Sequence, residues 1–191
     1  MGVSPKMAGL VLAGGRSSRF GAEKAVQVLR GRTLLEIALA TLGEVAGPLA
    51  VSASAGSEAE GLAISLGNPV VTDDPAHPRG PLAGIAAGLA WAKDAGADFM
   101  ITLPCDTPLV DAAVLRALGT AGLAETADGP QSLIAVWPVG SLETLTGWLG
   151  AGQHPAVHVA LESCGVRPVR FEDRAVFANV NTPEDLAKLS G

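Results

Sequence analysis

The stretch MAGLVLAGGRSSRFGAEK, residues 7–24, joins an apolar run to a loop rich in glycine and basic residues. The run is continuous rather than alternating, which predicts a strand buried on both faces. The loop does not fit the GxxxxGK phosphate pattern, because five residues separate Gly15 from Gly21 and two more precede Lys24, and the adjacent glycines do not fit GxGxxG. The stretch therefore predicts a loop suited to phosphate, of a kind that neither common pattern describes.

The composition limits the classes of partner. The chain has 191 residues, of which 48% are hydrophobic and 17% charged, which predicts one globular domain with a substantial core. A net charge of −6 argues against a broad surface for nucleic acid or anionic membranes, so we expect neither partner. No apolar stretch approaches the roughly 18 residues of a membrane-spanning helix. An anionic ligand therefore needs a local basic site, which Arg16, Arg19 and Lys24 provide.

Cysteine usage indicates a reducing compartment. Cys105 and Cys164 are too few for a disulfide framework, and no Cys or His spacing resembles a zinc site. The apolar opening of the chain lacks the A-x-A exit of a signal peptide and leads directly into the basic loop, which favours a buried first strand. We therefore expect a cytoplasmic protein.

The first hundred residues alternate between short apolar runs and segments with helical spacing. Parallel neighbouring strands need crossover helices, so this alternation predicts a doubly wound, mostly parallel sheet. The predicted strands are 7–13, 49–54, 69–72 and 98–103, and the predicted helices are 33–42, with Thr33 as N-cap, and 82–91.

Beyond residue 111 the pattern changes, and the Asp128-Gly129 turn indicates a hairpin. The predicted elements are a helix at 111–118, hairpin strands at 123–127 and 133–137, helices at 141–149 and 156–163, an extended run at 166–171 and a helix from Thr182. Residues 1–191 are thus expected to form a single domain. Its fold class is α/β, three-layer and Rossmann-like, with a small antiparallel hairpin insertion.

Ligands in doubly wound folds bind beyond the carboxyl ends of the strands. The loops after the first, third and fourth predicted strands contain 14–24, Asp73-Asp74 with the GPLAG segment 80–84, and Cys105-Asp106. We expect these loops to meet in one crevice. Glycines there would let the main chain approach phosphate oxygens, while Arg19 and Lys24 would neutralise charge.

Several of these residues have two open interpretations. Asp106 suits magnesium, which often takes one or two carboxylates beside substrate phosphates, but an aspartate there also caps helices. Asp73 or Asp74 would contact a second metal position or a nucleotide sugar, or else belong to an ordinary loop. Gly80 and Gly84 permit either backbone contact with a base or ribose, or close helix packing.

No side chain in the sequence is an evident nucleophile or general base. Cys105 has no evident basic partner, which indicates a structural role. His77, His154 and His158 form no recognisable pair. We therefore assign no nucleophile or general base.

Four segments together resemble the nucleotidyltransferases of molybdenum cofactor maturation, and among them the guanylyltransferase family. They are LAGGRSSRFGAEKA (12–25), GPLAGI (80–85), LPCDTPLV (103–110) and NVNTPEDL (179–186). Many sugar-nucleotide and cofactor nucleotidyltransferases share the first pattern, whereas the CDTP and NVNTPEDL forms narrow the choice. The resemblance implies a fold of nucleotide-diphospho-sugar transferase type, with a nucleotide-binding half at about 1–110 and an acceptor-binding half at about 111–191.

The resemblance also implies roles for individual residues. Arg19, Lys24 and Asp106 would be catalytic, with Asp106 as the ligand of Mg²⁺. Asn179 and Asn181 would contact the acceptor, unless they only fix the turn before the last helix. The nucleotide-binding residues would be Leu12, Ala13, Gly14, Gly15, Lys24, Ser52, Asp73, Asp74, Gly80, Pro81, Leu82 and Asp106.

The chain departs from the family pattern at three places. One is the short hairpin around Asp128-Gly129, which lacks the basic or histidine residues often found before its second strand. Ser52 stands where the family often has an asparagine near the base. Gln153-His154-Pro155 stands where a basic residue is expected on the acceptor side. The departures concern base selection and acceptor contact, and they leave the triphosphate loop intact.

The implied reaction transfers GMP from GTP to the terminal phosphate of molybdenum-molybdopterin and releases pyrophosphate, with Mg²⁺ as cofactor. Transient contact with molybdoenzymes or other maturation proteins would accompany it. Two alternatives stay open. One is a cytidylyltransferase or another nucleotidyltransferase that acts on a different phosphorylated cofactor or sugar, and the other is a non-catalytic GTP-binding protein.

Overall fold

The fold is built on a seven-stranded sheet with helices around it. A computed structural model describes residues 5–14, 23–78 and 80–190. The strands are β1 (Met7–Leu12), β2 (Val28–Leu29), β3 (Arg32–Thr33), β4 (Leu49–Ser52), β5 (Val70–Val71), β6 (Phe99–Pro104), β7 (Gly122–Thr126), β8 (Gly129–Pro138) and β9 (Arg167–Arg170). The helices are α1 (Leu34–Gly43), α2 (Glu58–Ser65), α3 (Pro81–Asp94), α4 (Ala112–Ala117), α5 (Ser141–Gly150), α6 (Val157–Ser163) and α7 (Pro183–Ser190).

The strand order of the main sheet is β5-β4-β1-β6-β8-β7-β9. The first four strands are parallel, β8 is antiparallel to β6 and β7, and β9 is parallel to β7. The predicted mostly parallel α/β fold is therefore confirmed. The predicted hairpin is β7–β8, and it lies within the main sheet; β2 and β3 form a separate small hairpin.

Helices cover both faces of the sheet and give the three predicted layers. One core lies under α1, α2 and α4 and includes Leu35, Val51 and Leu115. The opposite core lies under α3, α5 and α6 and includes Leu10 and Trp137. Because both faces are covered, polar residues collect at the ends of the strands. Within the described ranges, no helix is long and apolar enough to cross a membrane.

Helix α1 begins where the sequence predicts. The Thr33 hydroxyl accepts a hydrogen bond from the Glu36 amide at 3.2 Å, and the Glu36 carboxylate accepts one from the Thr33 amide at 2.8 Å. This reciprocal capping box satisfies backbone donors that the helix itself leaves unpaired. Hydrogen bonds from the Thr33 hydroxyl and then from its amide lower the pKa of Glu36.

Two elements are not predicted from the sequence, namely α2 and the β2–β3 hairpin. Helix α2 buries only Ala59 and Ala63, so its apolar pattern is weak. The hairpin turns through Arg30 and Gly31, both at positive φ (51° and 82°), without the Asn-Gly or Asp-Gly pair that usually indicates such a turn. The other predicted elements are present, with their ends shifted by a few residues.

Candidate active site

The loops predicted to form a crevice begin side by side. Leu12, the last residue of β1, lies opposite Ser52 of β4 and Pro104 of β6. The pairing continues past the strand ends, because the Ala13 amide donates to the Ser52 carbonyl at 2.9 Å and the Cys105 amide donates to the Leu12 carbonyl at 3.2 Å. The topology therefore brings the starts of the glycine-rich loop and the Asp106 loop together at the carboxyl end of the parallel strands.

The start of the glycine-rich loop has an accessible main chain. Leu12 and Ala13 are half-buried and Gly14 is exposed. No described atom lies within 4 Å of the place where Gly14 lacks a Cβ, so its backbone can be approached closely. Gly15 and Arg19 lie outside the described residues, and their predicted roles stay predictions.

Lys24 and Asp106 form an ion pair where these loops meet. The Lys24 Nζ lies 2.8 Å from Asp106 Oδ2 and donates a second hydrogen bond to Asn181 Oδ1 at 2.6 Å. The Lys24 side chain is 17% exposed and the Asp106 side chain 23%. The Val180 amide donates to the Asp106 carbonyl at 2.7 Å, which holds the segment before α7 against this loop. A predicted catalytic pair thus contacts one predicted acceptor residue, whereas Asn179 is exposed.

Ser52, Asp73 and Gly84 converge at the neighbouring strand ends. A Cβ on Gly84 would lie 2.6 Å from Ser52 Oγ and 3.2 Å from Asp73 Oδ1, so only a glycine leaves room for these polar atoms. Asp74 has a different environment, because its carboxylate accepts a hydrogen bond from the Ala76 amide at 2.8 Å and closes a local turn. The geometry therefore distinguishes the two aspartates. The Asp73 carboxylate lies beside Ser52 and Gly84, whereas the Asp74 carboxylate bonds within its own loop.

Helix α3 begins at the Gly80-Pro81-Leu82 segment. Pro81 occupies the first helical turn, where its missing N–H is tolerated. Gly80 has a φ of 152°. Leu82 is fully buried in the core.

His154 lies against this segment, although sequence reasoning assigns it no role. Its imidazole fills the space that a Cβ on Gly80 would occupy, with Cε1 only 2.6 Å from that position. The His154 Nε2 is buried and has no hydrogen-bond partner among the described residues. His154 lies between Gln153 and Pro155, where the family pattern has a basic residue. The pattern therefore indicates that this segment belongs near the acceptor, but it does not indicate the contact with Gly80.

The titratable groups beside Asp106 restrict the chemistry. Burial, and next the charge of Asp106, raise the pKa of the Cys105 thiol to about 12, so the thiol stays protonated at neutral pH. In the described part of the chain, no three His, Cys, Asp or Glu side chains are grouped to hold a metal ion. A metal at this site would therefore depend on one carboxylate together with substrate oxygens. Asp106 fits that role, since its Oδ2 already binds a cation, the Lys24 ammonium.

Known proteins are similar to this chain in sequence and in fold over nearly its full length. The profile of the MobA-like NTP transferase domain matches residues 9–169. A curated molybdenum cofactor guanylyltransferase from Cereibacter sphaeroides is 39% identical over 189 residues, which covers 96% of this chain and 95% of the relative.

Solved structures agree with the observed architecture. Molybdopterin-guanine dinucleotide biosynthesis protein A from Archaeoglobus fulgidus has a TM-score of 0.74 at 24% identity and covers 96% of both chains. A 4-diphosphocytidyl-2C-methyl-D-erythritol synthase has a TM-score of 0.73 at 15% identity and covers 99% of this chain and 98% of its own. At these identities the likeness shows the fold alone, and it confirms the predicted nucleotide-diphospho-sugar transferase type.

Proposed function

The chain belongs to the MobA-like NTP transferase family, and from this membership we propose that it transfers GMP from GTP to the terminal phosphate of molybdenum-molybdopterin. The products are the guanine dinucleotide cofactor and pyrophosphate. The observation that carries the proposal is the Lys24–Asp106 pair, 2.8 Å apart at the carboxyl end of the sheet. Its ammonium suits a triphosphate and its carboxylate suits the accompanying metal. The likeness to guanylyltransferases selects these substrates within the family.

The transfer forms one bond and breaks another at the α-phosphorus of GTP. A terminal phosphate oxygen of the pterin attacks this phosphorus, the bond to the oxygen that bridges to the β-phosphate breaks, and its electron pair leaves with pyrophosphate. The attacking oxygen is already anionic, so the reaction needs neither a general base nor a side-chain nucleophile. The protonated Cys105 thiol is compatible with this scheme.

Lys24 is the described cation best placed to neutralise phosphate charge. An ammonium group has three donors. Among the described residues Lys24 bonds to Asp106 and Asn181, which leaves one donor for a phosphate oxygen. Fixed positive charge is most effective where negative charge grows in the transition state, here on the departing pyrophosphate. Arg19 would assist from the preceding loop.

We assign the guanosine part of GTP to the region between the carboxyl ends of β1, β4 and β5 and the start of α3. Asp73 rather than Asp74 makes the carboxylate contact in this assignment, because the Asp74 carboxylate closes its own turn. The contacts in this assignment are those that the family resemblance implies, at Leu12, Ala13, Gly14, Gly15, Ser52, Asp73, Gly80, Pro81 and Leu82. The phosphates then extend toward Lys24, and the acceptor approaches from the side of Asn179 and Asn181.

Asp106 would hold Mg²⁺ together with oxygens of the triphosphate. Magnesium keeps several waters and usually takes few protein carboxylates when it binds with phosphates. When bound, the ion supplies charge neutralisation and orients the triphosphate.

The proposal includes a cytoplasmic location and transient protein partners. Cys105 and Cys164 are both free thiols, as expected of a protein from a reducing compartment. The product is a cofactor that acts in other enzymes, so its delivery implies brief contact with molybdoenzymes or with maturation proteins.

The position of a radioactive label in the products tests the proposal. The protein is incubated with Mg²⁺, molybdenum-loaded molybdopterin and GTP labelled at the α- or the γ-phosphorus. We expect the α-label in a pterin dinucleotide and the γ-label in pyrophosphate. Transfer from α-labelled CTP instead would identify a cytidylyltransferase, and GTP binding without transfer would identify a non-catalytic protein.

A further inference from the structure

The ammonium group of Lys24 lies on the same carboxylate that the proposed reaction gives to the metal, 2.8 Å from Asp106 Oδ2. We propose that Lys24, positioned by Asn181, opposes the binding of a free divalent cation at Asp106 until the phosphates of a nucleotide arrive. Metal and nucleotide would then bind as a coupled pair. The inference rests on the proposed function, because that function places both ligands here.

Electrostatics at this depth support the coupling. Lys24 and Asp106 are 17% and 23% exposed, so water and salt screen their charges less than on an open surface. A divalent cation that binds Asp106 meets the positive charge of Lys24 at close range, where like charges near a protein surface repel each other strongly. A triphosphate removes this repulsion, because its negative charge accommodates both cations.

Asn181 is the positioning residue in this arrangement. Its Oδ1 accepts a hydrogen bond from Lys24 at 2.6 Å and directs the ammonium toward Asp106. The backbone of Asn181 is itself fixed, because its amide donates to Asp185 Oδ2 at 3.1 Å. The neighbouring amide of Val180 bonds to the Asp106 carbonyl. Asn181 therefore positions the Lys24 ammonium, in addition to the acceptor contact that the family resemblance implies.

Reciprocity makes the coupling measurable from either ligand. If the nucleotide raises the affinity for the metal by some factor, the metal raises the affinity for the nucleotide by the same factor. Removing the Lys24 charge should therefore have opposite effects, since free metal binds more tightly while the nucleotide loses a cation. A lysine whose role is only to hold phosphate would produce the second effect without the first.

Binding of Mn²⁺ without nucleotide tests the proposal, with free Mn²⁺ measured by electron paramagnetic resonance. We expect Lys24→Met to raise the Mn²⁺ affinity about tenfold or more, and Asn181→Leu to raise it by a smaller factor. Lys93→Met, on the exposed last turn of α3, is the matched control and should change nothing. Adding Asp106→Asn to Lys24→Met should abolish the gain. Lys24→Gln, checked for folding by circular dichroism, repeats the test if the methionine variant does not fold.

Each other outcome contradicts a specific part of the proposal. Equal Mn²⁺ affinity in the wild type and in a folded Lys24 variant would overturn the blocking role, and an unchanged Asn181→Leu would overturn the positioning role. In a second arm, a non-hydrolysable GTP analogue should raise Mn²⁺ affinity more in the wild type than in Lys24→Met. The Mn²⁺ measurements involve no pterin and no turnover. A gain in Mn²⁺ affinity in Lys24→Met, with no GMP transfer by the wild type, would overturn the proposed function alone. GMP transfer by the wild type, with no gain in Lys24→Met, would overturn this inference alone.

Discussion

The two sides of the main sheet contribute to the candidate site in different ways. The half of the sheet made of β5, β4, β1 and β6 is the strand-end side of the site. Its strands are parallel, so their carboxyl ends lie together, and Leu12, Ser52 and Asp106 lie at or just beyond these ends. On the other side β8 runs in the opposite direction, and residues 111–190 reach the site through loops beside helices, with His154 and Asn181. Strand-end residues follow from topology, whereas loop residues depend on how distant segments pack.

The largest expected effect concerns the strand-end side. Asp106→Ala removes the carboxylate partner of Lys24 and the proposed metal ligand, so we expect a loss of about 3–4 kcal/mol in transition-state stabilisation. Pyrophosphate release measures it as a fall in kcat/KM. Asp111→Ala is the control, because Asp111 caps α4 by accepting from the Val114 amide at 2.9 Å and lies outside the site. Near-wild-type turnover by folded Asp106→Ala would contradict the catalytic role of Asp106.

The next effect tests whether the His154 loop depends on the nucleotide side. Gly80→Ala places a Cβ where the His154 imidazole lies, at a φ of 152°, and overpacking of this kind costs about 1–3 kcal/mol in the free energy of unfolding. Urea denaturation measures the cost. In a His154→Ala background the same substitution should cost less, because the imidazole is gone. Equal costs in the two backgrounds would show that the two segments do not meet.

A smaller effect separates two adjacent residues on the strand-end side. Asp73→Ala should raise the KM for GTP by about threefold to tenfold, as expected for the loss of one hydrogen bond. Asp74→Ala should leave this KM unchanged, since its carboxylate bonds to the Ala76 amide. The reverse pattern would transfer the nucleotide contact to Asp74.

The smallest effect lies away from the site and calibrates the others. Thr33→Ala removes the N-cap of α1 and should cost about 1 kcal/mol in unfolding free energy with no change in KM. The pKa of Glu36 is lowered from 4.5 by its bonds to Thr33. Its contribution to stability is therefore present above pH 4.5 and is lost as the pH falls through the lower, folded-state pKa. The advantage of the wild type over Thr33→Ala should therefore shrink in strong acid but not vanish, because the bond from the Glu36 amide to the Thr33 hydroxyl does not depend on charge. An advantage of unchanged size would contradict the contribution of the Glu36 carboxylate.

The parallel half of the sheet can be predicted from the sequence, whereas the contacts between segments far apart in the chain cannot. The β–α alternation predicted the parallel side of the sheet, and the rule that ligands bind beyond strand ends predicted that the Leu12 and Asp106 loops would meet. The Thr33 cap was readable because its partner Glu36 is close in sequence. By contrast, no local pattern indicates that Asn181 bonds to Lys24, or that His154 covers Gly80, because these contacts join segments far apart in the chain. Helix α2 has no clear apolar pattern in the sequence, because its buried residues are Ala59 and Ala63 alone.

Nucleotide-dependent pyrophosphate release tests the central claim most directly. The purified protein is assayed with Mg²⁺ and each of GTP, CTP, ATP and UTP, with and without molybdenum-loaded molybdopterin. The account predicts release with GTP alone among the four and only when the pterin is present, which would also show that Ser52 is compatible with guanine selection. Release with CTP instead of GTP, or none with any nucleotide despite GTP binding, would contradict it.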